Sequence, residues 1–229
     1  MNEHRQKVLS FFNKTNNYLH KKFGIRIRKK IIKDILGNID NKIILDVGCG
    51  TGDISLQFSE KNNLTLIDMS ENMLLLAKKN ANLKKNKQIQ FYKTSFEEFA
   101  PSQKYDTILV IGLLAHVESL NGTIEKLSDC LKKGGNLIIQ FSDYDKFLTK
   151  ISIWLSKKKY HKNKINYSSI IKTTSEKKMV LNRKIRYSIL PPGIGLLPNS
   201  ILYYFTKKTY ENKFLSKFGN EIILELRKI

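Results

Sequence analysis

Apolar positions along this chain follow two periods, and the change from one to the other outlines its elements. Ile43-Ile44-Leu45-Asp46-Val47 is a short, unbroken, β-branched run, which reads as a strand buried on both faces in a parallel sheet. Stretches 64–68, 88–92, 105–111 and 136–141 read as further strands. Between them the spacing turns helical. Ile54 and Phe58 share one face of a predicted helix over 54–60, and Met73, Leu74, Ala77 and Leu83 give the next its apolar side. Ser70 is a good N-cap for that second helix, with Glu71 in its first turn. Thr123, Ile124, Leu127 and Leu131 define a third. Lys132-Lys133-Gly134-Gly135 is expected to close it, since lysines complement the helix dipole and glycine stops the chain.

The flanks add helices before this series and two alternating strands after it. Val8, Phe11, Phe12, Thr15 and Leu19 recur at helical spacing. A second leading helix puts Ile25, Ile31, Ile32, Ile35 and Leu36 inward and Arg26, Arg28, Lys29, Lys30 and Lys33 outward as solvated charge, with Gly37 as its cap. Phe147, Leu148, Ile151, Trp154 and Leu155 make an amphipathic helix, the basic stretch 157–164 reads as an exposed loop, and a short helix starts at Tyr167. Leu181, Arg183, Ile185, Tyr187 and Ile189 alternate with polar residues in a half-buried strand, and Ile222, Leu224 and Leu226 alternate likewise. Between those strands, residues 191–198 carry three prolines, and Ile201-Leu202-Tyr203-Tyr204-Phe205 follows, unusually apolar for a connection. The prolines exclude a continuous membrane-spanning helix. Three readings stay open for this segment: the wall of an apolar substrate pocket, a membrane-surface contact with Lys207 and Lys208 beside it, or simple packing over the sheet edge.

The densest chemical signal follows the first strand. Gly48-Cys49-Gly50-Thr51-Gly52 places alternate glycines where the chain must turn tightly and let a ligand touch its backbone. The spacing Gly-x-Gly-x-Gly departs from the Gly-x-Gly-x-x-Gly of dinucleotide folds. With the preceding Leu45-Asp46-Val47 it resembles motif I of the class I S-adenosylmethionine-dependent methyltransferases, LDxGCGxG, at nearly every position. A second acid agrees: Asp68 ends the next strand about 20 residues past the loop, where such folds bond ribose hydroxyls. The chain is therefore identified as resembling that superfamily, in its small-molecule, ubiquinone- and menaquinone-methyltransferase-like branch.

The resemblance implies an α/β, Rossmann-like, doubly wound seven-stranded sheet, mostly parallel with the last strand antiparallel and helices on both faces. It implies a single domain: leading helices over 1–37, a cofactor-binding core over 38–141, and a cap with the last two strands over 142–229. For S-adenosyl-L-methionine it points to Gly48, Cys49, Gly50 and Gly52 at the methionine portion, Asp46 at the ammonium through the loop, and Asp68 with Met69 at the ribose. Ser95 and Phe96 stand at the adenine, although Thr94-Ser95 replaces the family's usual Gly-Asp, and Gly112 follows the fourth strand. His116, in a His-Val pair past that strand, is the candidate general base, because imidazole titrates near neutrality. Its alternative role is to orient the loop.

Composition narrows the acceptor only a little. Lys and Arg number 41 against 20 Asp and Glu, a net charge of +21 over 229 residues. Such charge fits a nucleic-acid or anionic membrane surface. The lysines are spread through nearly every segment, however, which favours a compositional bias. Two cysteines, Cys49 and Cys130, cannot make a disulfide framework, and no apolar run approaches the ~18–20 residues of a membrane span. The expectation is a cytoplasmic protein, in part peripheral to the inner face of the membrane. No Cys–His cluster offers zinc spacing, no metal site is expected, and the P-loop pattern is absent. An Asp/Asn-Pro-Pro-aromatic motif is missing after the fourth strand, which lowers base N-methylation. The leading expectation is O- or C-methylation of an apolar or lipid-like small molecule such as a quinone, polyketide or glycolipid intermediate. An RNA methyltransferase using the basic surface and a non-catalytic cofactor-binding protein are the alternatives.

Overall fold

The computed structural model describes residues 6, 9, 10, 22–83, 88–155, 163–189 and 197–229. The predicted first helix, His4, His20, His161, residues 157–162 and 191–196 lie outside them. Seven strands form one sheet in the order β3-β2-β1-β4-β5-β7-β6: β1 (Ile43–Val47), β2 (Asn63–Asp68), β3 (Ile89–Lys93), β4 (Tyr105–Ile111), β5 (Leu131–Ser142), β6 (Met179–Tyr187) and β7 (Glu221–Lys228). β1 through β5 pair in parallel, while β7 runs antiparallel between β5 and β6. Helices are α1 (Lys22–Leu36), α2 (Glu71–Asn82), α3 (Leu120–Cys130), α4 (Phe147–Leu155), α5 (Tyr167–Glu176), α6 (Asn199–Glu211) and α7 (Lys213–Ser216).

Both sheet faces are covered, and the two-residue period of the strands divides the core in two. Leu45, Ile108, Val110, Leu137, Ile139 and Leu224 join the helices α3 and α5 on one side. Ile44, Leu109, Ile138 and Ile223 join α1 and α2 on the other. Every strand but β3 therefore feeds both cores, which is why β1 and β4 are apolar without alternation.

Four expectations need correction. The helix after the glycine loop is 3-10, Ser55–Lys61, still with Ile54 and Phe58 buried. The third helix stops at Cys130, before the Lys-Lys-Gly-Gly stretch, because Leu131 already pairs with Tyr105 in β5. Lys132 leaves no helix dipole to complement; its ammonium bonds Asp106 Oδ2 at 2.9 Å. A Cβ on Gly135 would lie 2.9 Å from the Lys132 carbonyl, so glycine lets the irregular start of this strand fold tightly. Residues 199–211, expected as a connection, form a helix packed against α1 and β6. Finally, Arg28 does not point to solvent with its basic neighbours: from α1, packed on the sheet face, its side chain reaches Tyr187 and Glu221.

Candidate active site

Strand order reverses between β1 and β4, whose carboxyl ends open a crevice where ligands of such sheets bind. A cavity of about 500 Å³ occupies it. Gly48, at φ +70°, forms its floor, and a Cβ there would meet Leu113 Cδ1 at 3.0 Å. Four of the loop's amides are already committed. Gly48 and Cys49 N–H both donate to the Ile67 carbonyl at 2.9 and 3.0 Å, Gly52 N–H to the Cys49 carbonyl at 2.9 Å, and Gly50 N–H to Asp68 Oδ2 at 2.8 Å. What this loop offers a ligand is close approach and carbonyl oxygens, which suits a cationic donor better than the phosphates gathered by free amides.

Asp68 borders the same cavity, its second oxygen accepting from Ser70 N–H at 2.8 Å. Burial pushes its carboxyl upward, while the amides of Ser70, Gly50 and Met69 oppose that shift. Of the carboxylate's roughly four acceptor sites, the three amides leave one for a ligand hydroxyl. Ser70 also caps α2, accepting from Met73 N–H at 3.3 Å, so one turn fixes both the acid and the helix. Met69, Met73, Ser95 and Phe96 frame a slot beyond Asp68. Phe96 is buried, with the Lys126 ammonium 5.2 Å from its ring centre. Ser95 accepts from Glu98 N–H at 3.2 Å.

Asp46, at the end of β1, and Cys49 and Gly52 of the loop do not line the cavity. Burial pushes the Asp46 carboxyl up to about 7, with the Asp68 charge adding and a Ser55 hydrogen bond opposing. Burial likewise raises the Cys49 thiol, helped by both acids.

Gly112 and His116 stand at the end of β4, lining the cavity beside the glycine loop. The turn Leu114–His116 is clamped by Asn163, whose side chain donates to the carbonyls of Val117 and Leu114 at 2.7 and 3.2 Å while its N–H donates to Ala115 at 3.0 Å. Asn163 lay in a stretch expected to be an exposed loop, and only a tertiary contact reveals it. A side-chain network closes the far wall. Arg28 donates to Tyr187 Oη at 3.1 Å and to Glu221 Oε2 at 3.4 Å, and Glu221 also accepts from Gln140 and Ser142. Tyr187 is buried and its hydroxyl pushed well up by that burial. None of these five was singled out as a site residue in the sequence; β6 and β7 alternation and the basic face of α1 were the only local signals.

Residues 39–202 match the family model described as "Methyltransferase domain". Among curated relatives, the ubiquinone biosynthesis O-methyltransferase of Nitrosomonas europaea is 30% identical over 112 residues, covering 48% of this chain and 47% of that one. The demethylmenaquinone methyltransferase of Leptospira interrogans is 32% identical over 136 residues, covering 54% and 51%. The chain thus spans about half the length of these relatives. The magnesium protoporphyrin IX methyltransferase of Synechocystis PCC 6803, solved with bound S-adenosylhomocysteine, shares the fold at a TM-score of 0.71 with 17% identity, over 99% of this chain and 100% of that one.

Proposed function

This chain belongs to the methyltransferase-domain family, and from that premise we propose that it transfers a methyl group from S-adenosyl-L-methionine to the oxygen or carbon of an apolar or lipid-like small molecule, such as a quinone. The observation that carries the reading is the glycine loop with all four of its bonded amides turned inward and Asp68 beside it. That floor offers carbonyl oxygen to an ammonium and a carboxylate to a ribose hydroxyl, with four of its amides withdrawn from the contacts that a pyrophosphate needs. The slot between Met69, Met73 and Phe96 takes the adenine ring.

When bound, S-adenosylmethionine supplies an electrophilic methyl on a sulfonium. The chain's own work is alignment: holding both partners in line is a large share of such a rate enhancement. His116, fixed by the Asn163 clamp, receives the proton that an acceptor hydroxyl gives up as its oxygen bonds carbon. The quinone-type acceptor is supported by the names of the relatives above and by the apolar part of the wall, which includes Ile27, Phe141 and Ile165.

The test is radiolabelled methyl transfer to separated lipid-soluble and RNA fractions of the host cell. Label in the lipid-soluble fraction that disappears with Asp68→Ala and with Asp68→Asn is expected. Label confined to RNA would replace this acceptor class by the nucleic-acid one.

A further inference from the structure

Thirteen large hydrophobic side chains are exposed among the described residues, and six of them, Leu197, Ile201, Tyr204, Phe205, Phe214 and Phe218, fall within 22 positions of α6 and α7. Along α6 the spacing is i, i+3, i+4 from Ile201 to Phe205, so these form one stripe. The opposite face, Leu202, Thr206 and Thr209, is buried. Tyr204 and Phe205 touch ring to ring at 5.9 Å, and Phe214 and Phe218 at 5.5 Å. Two more exposed aromatics, Phe147 and Trp154, stand on α4. Lys146 beside α4 donates to the Lys217 carbonyl at 3.2 Å, which holds the start of that helix against the α7 turn.

The charge around this stripe is predominantly positive, with Lys207 paired to Glu211 at 3.5 Å. Residues 197–219 carry Lys207, Lys208, Lys213 and Lys217 against a single acid, Glu211. The Lys208 ammonium lies 5.7 Å from the Tyr204 ring centre, at the end of the same stripe. We propose that the outward face of α6, with α7 and α4 beside it, docks on an anionic lipid bilayer. Aromatic and aliphatic side chains enter the boundary between headgroups and acyl chains, and the lysine stems lie along them with their ammoniums among the lipid phosphates. A second copy of the chain, carrying the same +21, is repelled from this face. RNA would engage the flat rings and the lysines but gains nothing from Leu197 and Ile201.

Docking there also orients the cavity. Thr206 of α6 and Thr149 and Ser152 of α4 line it, so the helices that meet the bilayer by one face bound the cavity by another. The surface argument does not depend on the methyl-transfer reading.

Trp154 is the only tryptophan in the chain and is 82% exposed, a built-in reporter. The full chain is mixed with vesicles of phosphatidylcholine alone or of equal parts phosphatidylcholine and phosphatidylglycerol. Sedimentation with the anionic vesicles only, weakened by salt and accompanied by a blue shift of Trp154 emission, is expected. Tyr204→Ser with Phe205→Ser should weaken that binding roughly tenfold or more, and Lys208→Glu with Lys213→Glu by roughly thirtyfold or more. These side chains are exposed, so both double variants should keep the wild-type melting curve. Absence of anionic-vesicle binding, binding undiminished in both variants, or capture by host RNA through the same residues would overturn the proposal.

Discussion

The two ends of the cavity are built by different means. At the cofactor end, loop 48–52 and Asp68 are held mainly by bonds to the loop's own main chain, over at most about thirty positions of sequence. At the acceptor end, Arg28 and Glu221 meet across 193 positions, and Gln140 and Glu221 across 81. The first is a property of one supersecondary unit and the second of the closed sheet. A cofactor site fixed by main chain tolerates little substitution, whereas a wall of side chains can be rebuilt one residue at a time for a new acceptor.

The difference can be broken most strongly at Asp46, which underlies the cofactor end. Its folded value near 7 stands above the ordinary 3.8, so the native state keeps a proton that the unfolded chain releases. Its contribution to stability is complete below about pH 4 and is lost as the pH rises to 7, by at most about 4 kcal/mol. Asp46→Asn should therefore gain on the wild type across that window, read from urea unfolding at a series of pH values. Parallel curves would contradict the buried-acid argument.

Next in size is Asp68→Ala, which removes the partner of Gly50 and Ser70. Cofactor affinity should fall on the order of 100-fold by calorimetry, as a charged hydrogen bond to the ribose is lost. Affinity within threefold of wild type (roughly 0.6 kcal/mol) would move the ribose elsewhere. His116→Gln separates the ends: turnover should drop on the order of 100-fold while cofactor affinity holds. Loss of both together would make the residue a prop of the loop. The smallest effect belongs to Glu221→Gln, which leaves Arg28 without its charge partner, both side chains being partly exposed. About 1 kcal/mol of stability should be lost, with a raised acceptor KM and unchanged cofactor affinity.

What was legible in the sequence follows the same divide. The strands, the glycine loop, Asp68 and the Ser70 cap are local: each is set by residues within one or two turns of it. The 3-10 geometry after Gly52 was not, since apolar spacing at 54 and 58 fits either helix type. Leu131 satisfied a helical period too, and only its pairing with Tyr105 assigns it to β5. Arg28 looked solvated because its neighbours Lys29, Lys30 and Lys33 are basic as well; where α1 lies across the sheet decides which of them faces inward. Asn163 and Glu221 carry no local signature at all.

The antiparallel seventh strand has a consequence for synthesis. β6 pairs with β7 alone, and β7 lies between it and β5. While the ribosome still holds residues 221–228, β5 presents an open apolar edge and β6 has nowhere to dock. Five strands and the cofactor loop can form early, but the last wall of the cavity, Glu221 included, waits for translation to pass the final strand. The nascent chain can thus acquire its cofactor floor before the Glu221 wall of the acceptor end is in place.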